Sequence, residues 1–449
     1  MILATGPVAP MSAHQVLVFV VAIGLLLGSA LALGQLARRL GMPAVVGELC
    51  VGVLLGPSVL GHLAPGVSAW LLPPDPSQMH LIDAVGQLGV LLLVGVTGIN
   101  VDLKLLRRRA GTTAWVGASA LLLPLACGVA IGFVLPLELM ADGTDRTAFA
   151  MFVGVALSVS AIPVIAKTLL EMRLLYRDIG QLIIGTSTID DIVGWLLLSV
   201  VSAMATVGMR ADQMLLSVGF VVGALVFCFV VARPVGALLR LSVRSKEPGV
   251  VVAVTVLLLL AFAAGTQALG MEAILGALLG GVVIGSSTWL DRERLAALQT
   301  FVMAVLAPVF FATAGLRMDL TALRHPAVLV PAVLVLVTAI LAKFAGAYIG
   351  ARLARLGHWD AVALGAGLNA RGVIVVVMAI VGLQLGVLTT AMYTIVVLVA
   401  IITSLLVPPM LRIAVRHIEV TDEEAAREFE FRLAGRETGE PPSQPAAAA

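Results

Sequence analysis

Ile184-Gly-Thr-Ser-Thr-Ile-Asp-Asp-Ile-Val-Gly-Trp195 decides how this chain is read. Two adjacent carboxylates, Asp190 and Asp191, stand near the middle of an apolar run covering residues 179–206. A helix needs about 20 apolar residues to cross the hydrocarbon core of a bilayer, and this run is long enough. Each ionised group at the centre of such a helix costs about 2.5–3.5 kcal/mol on insertion scales, so it needs a partner, a water-filled cavity or a function. Adjacent residues on a helix point about 100° apart. One carboxylate can therefore face a cavity while the other faces a neighbouring helix. Burial and mutual repulsion both disfavour two charges at this place. A carboxylate that is costly to ionise can alternate between holding a proton and holding a cation, which is the minimal chemistry of an exchanger.

The remainder of the chain has the same preference for lipid. Of its 449 residues 60% are hydrophobic and only 12% charged, and the mean hydropathy is +1.09. A soluble surface uses about 25% charged residues. The pattern predicts an all-α polytopic membrane protein of about thirteen spans. Their approximate limits are 14–37, 44–62, 81–99, 111–136, 147–170, 179–206, 214–241, 249–268, 271–287, 299–317, 326–352, 359–384 and 387–411. Alternate loops test that count. One set holds Arg38, Arg39, Lys104, Arg107, Arg108, Arg109, Arg173, Arg177, Arg244, Lys246, Arg292, Arg294, Arg352, Arg355, Arg412 and Arg416; the other holds only Arg146, Arg210, Arg317 and Arg324. Positive charge stays cytoplasmic, so residues 1–13 are expected outside, a transmembrane domain over 14–415, and a short cytoplasmic tail over 416–449. The tail is polar and expected to be partly disordered. Residues 1–13 contain no Lys or Arg, which removes the charged start of a signal peptide. The cell membrane is the expected location.

Lys343, in Leu-Ala-Lys-Phe-Ala-Gly-Ala, is a second mid-span charge and a natural counter-charge for the aspartates. Arg371 is a third. Glu48 and Glu272 lie near predicted helix starts, where a structural hydrogen bond competes with a supporting role in transport; Thr186 and Ser187 precede the aspartates as further supporting groups. Asp83 also lies near a predicted start, where capping or snorkelling would account for it. No His falls mid-span, so protons are expected on carboxylates. The fifth span contains Ser158-Val-Ser-Ala-Ile-Pro163 and the twelfth Leu368-Asn-Ala-Arg-Gly372. Pro163 has no N–H and clashes with the preceding turn, and Ser158 and Ser160 can bond the freed backbone; Asn369 and Arg371 make the second run polar. Both read as interrupted helices, which occur at membrane depth where backbone lines a cavity or is covered by protein. They lie seven spans apart. An odd offset inverts orientation, so spans two to six map onto nine to thirteen as an inverted-topology repeat, with two crossing broken helices at the site.

Several classes have no support. No basic run is interleaved with aromatics, so no nucleic-acid partner is expected. No nucleotide fingerprint, nucleophile–base set or metal cluster is present, so neither an enzyme nor a cofactor is expected. Gly52/Gly56, Gly276/Gly280 and Gly281/Gly285 read as close helix packing. Cys50, Cys127 and Cys228 are widely spaced and read as packing residues.

The residues resemble the second monovalent cation:proton antiporter family, whose fold is shared with bacterial sodium/proton antiporters. Gly47-Glu-Leu-Cys-Val-Gly-Val-Leu-Leu-Gly-Pro-Ser-Val-Leu-Gly61, Ala156-Leu-Ser-Val-Ser-Ala-Ile-Pro-Val-Ile-Ala-Lys-Thr-Leu169 and Ile189-Asp-Asp-Ile192 carry the resemblance. So do Leu275-Gly-Ala-Leu-Leu-Gly-Gly281, Pro308-Val-Phe-Phe-Ala-Thr-Ala-Gly-Leu-Arg317, Lys343-Phe-Ala-Gly346 and Asn369-Ala-Arg-Gly372. It implies a homodimer in which a mobile core moves against a dimerisation domain. Asp191 is then the ion-binding carboxylate, holding the transported Na+ or K+, and Asp190 the partner of Lys343. Adjacent aspartates are similar to the electrogenic members. The second break departs from the Pro-Arg-Gly-Glu common in the family; its Asn-x-basic-Gly form looks more like plant and fungal exchangers associated with potassium. Asn100 stands where many members have Glu. The choice between sodium and potassium therefore stays open. A passive cation channel and a proton-coupled transporter of an organic solute remain as alternatives. The nucleotide-binding regulatory tail of glutathione-gated potassium efflux members is not expected.

Overall fold

A computed structural model describes residues 11–73, 76–100, 110–172, 174, 177–207, 223, 231, 233–243, 245, 247–269, 271–287, 292–421 and 424. The greater part of the expected seventh span, Cys228, residues 1–10, most of the tail, and the loop charges Lys104, Arg107–Arg109, Arg173, Arg210, Arg244 and Lys246 lie outside the described residues.

The described chain is helical. Its crossing elements are α1 (Ala13–Arg39), α2 (Ala44–Leu55), α3 (Pro76–Ile99), α4 (Ala110–Val134), α5 (Arg146–Ser158), α6 (Ile162–Glu171) and α7 (Asp178–Val207). They continue with α8 (Pro248–Ala268), α9 (Ala273–Gly285), α10 (Arg292–Phe301), α11 (Ala307–Leu316) and α12 (Pro326–Leu353). The last are α13 (His358–Gly367), α14 (Val373–Gln384) and α15 (Thr390–Val415). A π-turn over Val302–Leu306 joins α10 to α11 into one crossing. Among the described residues, nine helices are long and apolar enough to cross a membrane. The shorter α5, α9 and α14 are apolar as well. With α5–α6 and α13–α14 each taken as one interrupted crossing, the described residues make twelve of the thirteen crossings expected, the seventh lying largely outside them.

Local chemistry sets the ends. Ser12 caps α1 through a capping box with Gln15. Asp145 starts α5 by accepting from Thr147 N at 2.8 Å and Ala148 N at 3.1 Å, which satisfies orphan donors of the first turn. α5 stops because Val159 turns extended (φ −88°, ψ 140°); Pro163 then takes the second position of α6, where its missing N–H costs nothing. Asp83 is not at a helix start. It lies inside α3 and pairs with Arg317 at 2.6 Å, so an ion pair, rather than capping or snorkelling, accounts for it.

The helices pack as two bundles. α1, α2, α3, α8, α9 and α10–α11 form the first; α4, α5–α6, α7, α12, α13–α14 and α15 form the second. Inverted repetition is visible in the pairings. α2 lies on α11 as α9 lies on α3, α1 on α2 as α8 on α9, and α7 on α5–α6 as α15 on α13–α14. α4 packs directly on α12, its counterpart in the second repeat. Glycines make the matching crossings possible. Gly52 meets the backbone of Ala312–Leu316 and Gly281 the backbone of Gly95–Ile99, each so closely that a Cβ would overlap it. In lipid, where apolar surface gives helices no preference for one another, such backbone approach drives association.

The described start of the tail folds back onto α7. Arg177 donates to Ile418 O at 3.1 Å and Glu419 O at 2.9 Å and pairs with Glu424, while Asp178 N donates to Glu424 Oε1 at 2.7 Å.

Gly281→Leu and Gly52→Leu are each expected to lower the melting temperature in detergent by several degrees or leave no monodisperse protein, because over-packing costs about 1–3 kcal/mol or more. Gly24→Leu, at a glycine with open space around it, is the control and should melt like the parent chain. Equal behaviour of all three would show that the close crossings do not hold the bundle.

Candidate functional site

α5–α6 and α13–α14 cross at their interruptions. Ala161 N of the first break donates to Ala370 O of the second at 3.0 Å. Ser160 Oγ lies 2.8 Å from both Leu368 O and Asp190 Oδ2, so its one proton is shared between them. At Gly372 a Cβ would come within 2.6 Å of Val164 and 3.2 Å of Ala161; only a residue without a side chain lets the breaks touch.

Interrupting a helix exposes carbonyls at the end of the first half and N–H groups at the start of the second. Charged side chains meet both kinds here. Lys343 Nζ donates to Ser158 O at 2.5 Å, and Arg371 Nη2 to Leu157 O at 2.5 Å and Ala339 O at 3.0 Å. Two cations thus sit at the C-terminal end of α5, where the helix dipole is negative. Asp191 Oδ2 accepts from Ile162 N, at the start of α6, at 3.4 Å. Ser404 Oγ of α15 donates to Arg371 O, fixing the second break from below.

Lys343 and Asp190 form the central ion pair, Nζ to Oδ2 at 2.6 Å, with both side chains fully buried. Asp191 is 3% exposed and Arg371 fully buried. The remaining predicted residues divide. Ser158, Ser160, Asn369, Thr186 and Ser187 are buried around the crossing. Asn369 Nδ2 donates to Ile340 O at 3.1 Å and Gly365 O at 3.3 Å, so it braces α13 against α12. Ser158 and Ser187 donate to carbonyls of their own helices. Pro163 opens α6. Glu48 and Glu272 are not brought to the aspartates: Glu48 lies on α2 against Gly34, and Glu272 on the first bundle accepts from Ser202. Sequence reasoning did not find the carbonyl partners of Arg371, nor Ile162 N on Asp191. Half-helix ends were the available signal, since any such end leaves groups that want a charge.

Among the described residues, four of the buried oxygens without a hydrogen-bond partner lie around the crossing: Asp190 Oδ1, Asp191 Oδ1, Thr186 Oγ1 and Asn369 Oδ1. Thr186 lies one turn before Asp190 on the same helix face. Buried polar atoms without partners are costly and call for an explanation. Oxygens of this kind can replace the water around an alkali cation, as carbonyls do in ion pores.

Lys343→Ala strands Asp190 without its cation, a loss worth about 3–5 kcal/mol for a buried pair. It is expected to lower the melting temperature sharply, and Lys343→Ala with Asp190→Asn together should recover much of the loss. If the single and double variants melt alike, the pair is not what holds the crossing.

A family profile described as "Sodium/hydrogen exchanger, transmembrane" matches residues 22–417. Among curated proteins, the chain is 28% identical over 408 residues to the Na(+)/H(+) antiporter NhaS4 of Synechocystis sp., covering 89% of this chain and 98% of that one. It is 28% identical over 385 residues to Cation/H(+) antiporter 19 of Arabidopsis thaliana, covering 84% of this chain and 47% of the plant protein, so it spans about half the length of that relative. Among solved structures, the sodium proton antiporter MjNhaP1 from Methanocaldococcus jannaschii matches with a TM-score of 0.68 at 16% identity, over 95% of this chain and 100% of that chain. At that identity the likeness speaks for the fold. Since the profile runs from the first crossing helix to the last, the chain belongs to the sodium/hydrogen exchanger family, a family of membrane transporters and not of enzymes.

Proposed function

We propose that this chain is a secondary active antiporter that exchanges a monovalent cation, Na+ or K+, for protons by alternating access at Asp190 and Asp191. The observation that carries the reading is Asp191: a buried carboxylate with one oxygen on the N-terminus of α6 and the other without a protein partner. Asp190, held by Lys343 and Ser160, keeps the second charge compensated while Asp191 exchanges its occupant. A dehydrated cation and a proton compete for the same oxygen. Binding of either satisfies it, and binding of both at once would leave one charge too many.

In this reading the second bundle, which carries Asp190, Asp191, Lys343 and Arg371, moves against the first along the seams α7–α9 and α15–α2. These seams are related by the inverted repeat, as a cycle with two opposite-facing states requires. The relatives named for Na(+)/H(+) and cation/H(+) exchange support the substrate class. The protein works as an integral protein of the cell membrane, N-terminus outside and C-terminus in the cytoplasm, as a homodimer joined through the first bundle.

In acid-loaded proteoliposomes, adding Na+ or K+ outside is expected to alkalinise the lumen. Asp191→Asn should reduce the response to that of protein-free vesicles while remaining folded. A response that survives Asp191→Asn would refute the mechanism. A pH gradient that collapses equally with and without an alkali cation would identify a channel instead.

A further inference from the structure

The start of α9 holds a carboxylate that the aspartate site does not use. Glu272 is the N-cap residue of α9 (φ −64°, ψ 131°), yet its side chain does not cap the helix. Ala273 N donates to Gln267 Oε1 instead, at 3.1 Å. The Glu272 side chain reaches out of its own bundle, where Oε1 accepts from Ser202 Oγ of α7 at 2.6 Å. α7 is the helix of Asp190 and Asp191, and it belongs to the other bundle.

Ser202 follows Asp191 by eleven residues. At about 100° and 1.5 Å per residue, the two lie within about 20° of one face and about 16 Å apart. Trp195 and Leu198, each 1% exposed, occupy that face between them and share an apolar cluster with Met271, Ile274 and Leu275 from the start of α9. Followed from Asp191 toward the end of α7, this face is therefore buried and apolar, and beyond it α7 meets the start of α9 with a hydrogen bond from Ser202 to the Glu272 carboxylate. This end of the seam is on the arginine-poor side of the molecule, with Arg146, Arg317 and Arg324.

The inverted repeat supplies an internal comparison. Gly52 of α2 and Gly281 of α9 make the equivalent close crossings. Pro43 stands nine residues before the first and Glu272 nine before the second. Pro43 is the N-cap of α2 with nearly the same backbone (φ −60°, ψ 140°). The fold thus provides the same position twice, and of the two residues that fill it Glu272 has a side chain that can hydrogen-bond or carry charge while Pro43 does not.

We propose that Glu272 is the gate residue of the arginine-poor mouth: a positioning residue whose carboxylate latches α7 while that mouth is shut and, once released, is the first negative charge a cation meets on its way to Asp191. This rests on the exchanger reading given above. Opening the seam requires α7 to leave α9, so the Ser202–Glu272 bond has to break before the buried face of Trp195 and Leu198 is uncovered. At the opposite mouth Pro43 offers neither a latch nor a charge. The two faces of the protein therefore differ in cation affinity although the repeat makes them alike in shape.

Glu272→Gln keeps an acceptor oxygen and removes the charge, whereas Ser202→Ala removes the donor. With right-side-out and inverted vesicles assayed separately, Glu272→Gln is expected to raise the KM for the cation at the arginine-poor face about fivefold, the effect of a unit charge about 4 Å from a cation at aqueous screening. The KM at the other face should not change. A KM that is unchanged at both faces, or raised equally at both, overturns the proposal. A second measurement needs no transport. In a chain with Cys50, Cys127 and Cys228 replaced by Ser, Leu198→Cys should react faster with a membrane-impermeant thiol reagent from the arginine-poor side when Ser202→Ala is added. Equal labelling rates refute the latch. Absence of exchange in the parent chain would sink the exchanger reading alone, and labelling would still decide the latch.

Discussion

A charge held away from water in a lipid-embedded bundle has to be met by charge or by oriented dipoles. In this chain Lys343 and Asp190 meet one another at 2.6 Å, and the surrounding fold follows from that requirement. The pair can exist only where two helices are interrupted, because Lys343 also needs the carbonyl of Ser158 and Asp191 needs the N–H of Ile162. The interruptions can cross only where glycine permits it, at Gly372 against Val164 and Ala161. The crossing in turn must be braced, and Asn369 and Ser404 provide hydrogen bonds from the second break to α12 and α15. Removing any one of these leaves a buried group unsatisfied, a fault that costs more than the bond itself contributes.

The first bundle is organised by a different interaction. Its helices hold none of the fully buried charges found among the described residues; Gly52, Gly98, Gly281 and Gly315 are each set against the backbone of a facing helix, as Gly132 and Gly346 are in the second bundle. Close packing of this kind makes a stiff body. The second bundle carries the charges and the broken helices.

Much of this was legible in the sequence because it depends on local quantities. Span positions follow from hydropathy. The breaks show as Ser158–Pro163 and Leu368–Gly372, polar runs inside apolar ones. Asp190 and Lys343 stand out because nothing else explains charge at that depth. What could not be read has a common cause. Arg371 meets the carbonyls of Leu157 and Ala339, Asp83 meets Arg317, and Ser202 meets Glu272. Each joins segments far apart in the chain through groups that are ordinary in their own neighbourhoods. Asp83 was assigned to a helix end because a local reading knows how far a residue lies from an end and not what lies opposite. Glu272 reads as a residue near a helix start with a structural hydrogen bond, and the partner of that bond, Ser202 of α7, is what the local sequence does not name.

The separation of Lys343 from Asp190 along the chain, 153 residues, has a consequence for biogenesis. At about 5–20 residues per second, the ribosome finishes the lysine roughly 8–30 s after the aspartate. For that interval α7 is inserted, or waiting to be inserted, with both carboxylates made and neither cation available. A proton on each carboxylate can stand in for the absent cations, keeping the nascent helix neutral until the second half of the chain arrives. Protonation is then the means by which the helix that carries Asp190 and Asp191 enters the membrane before the residues that meet its charge are made.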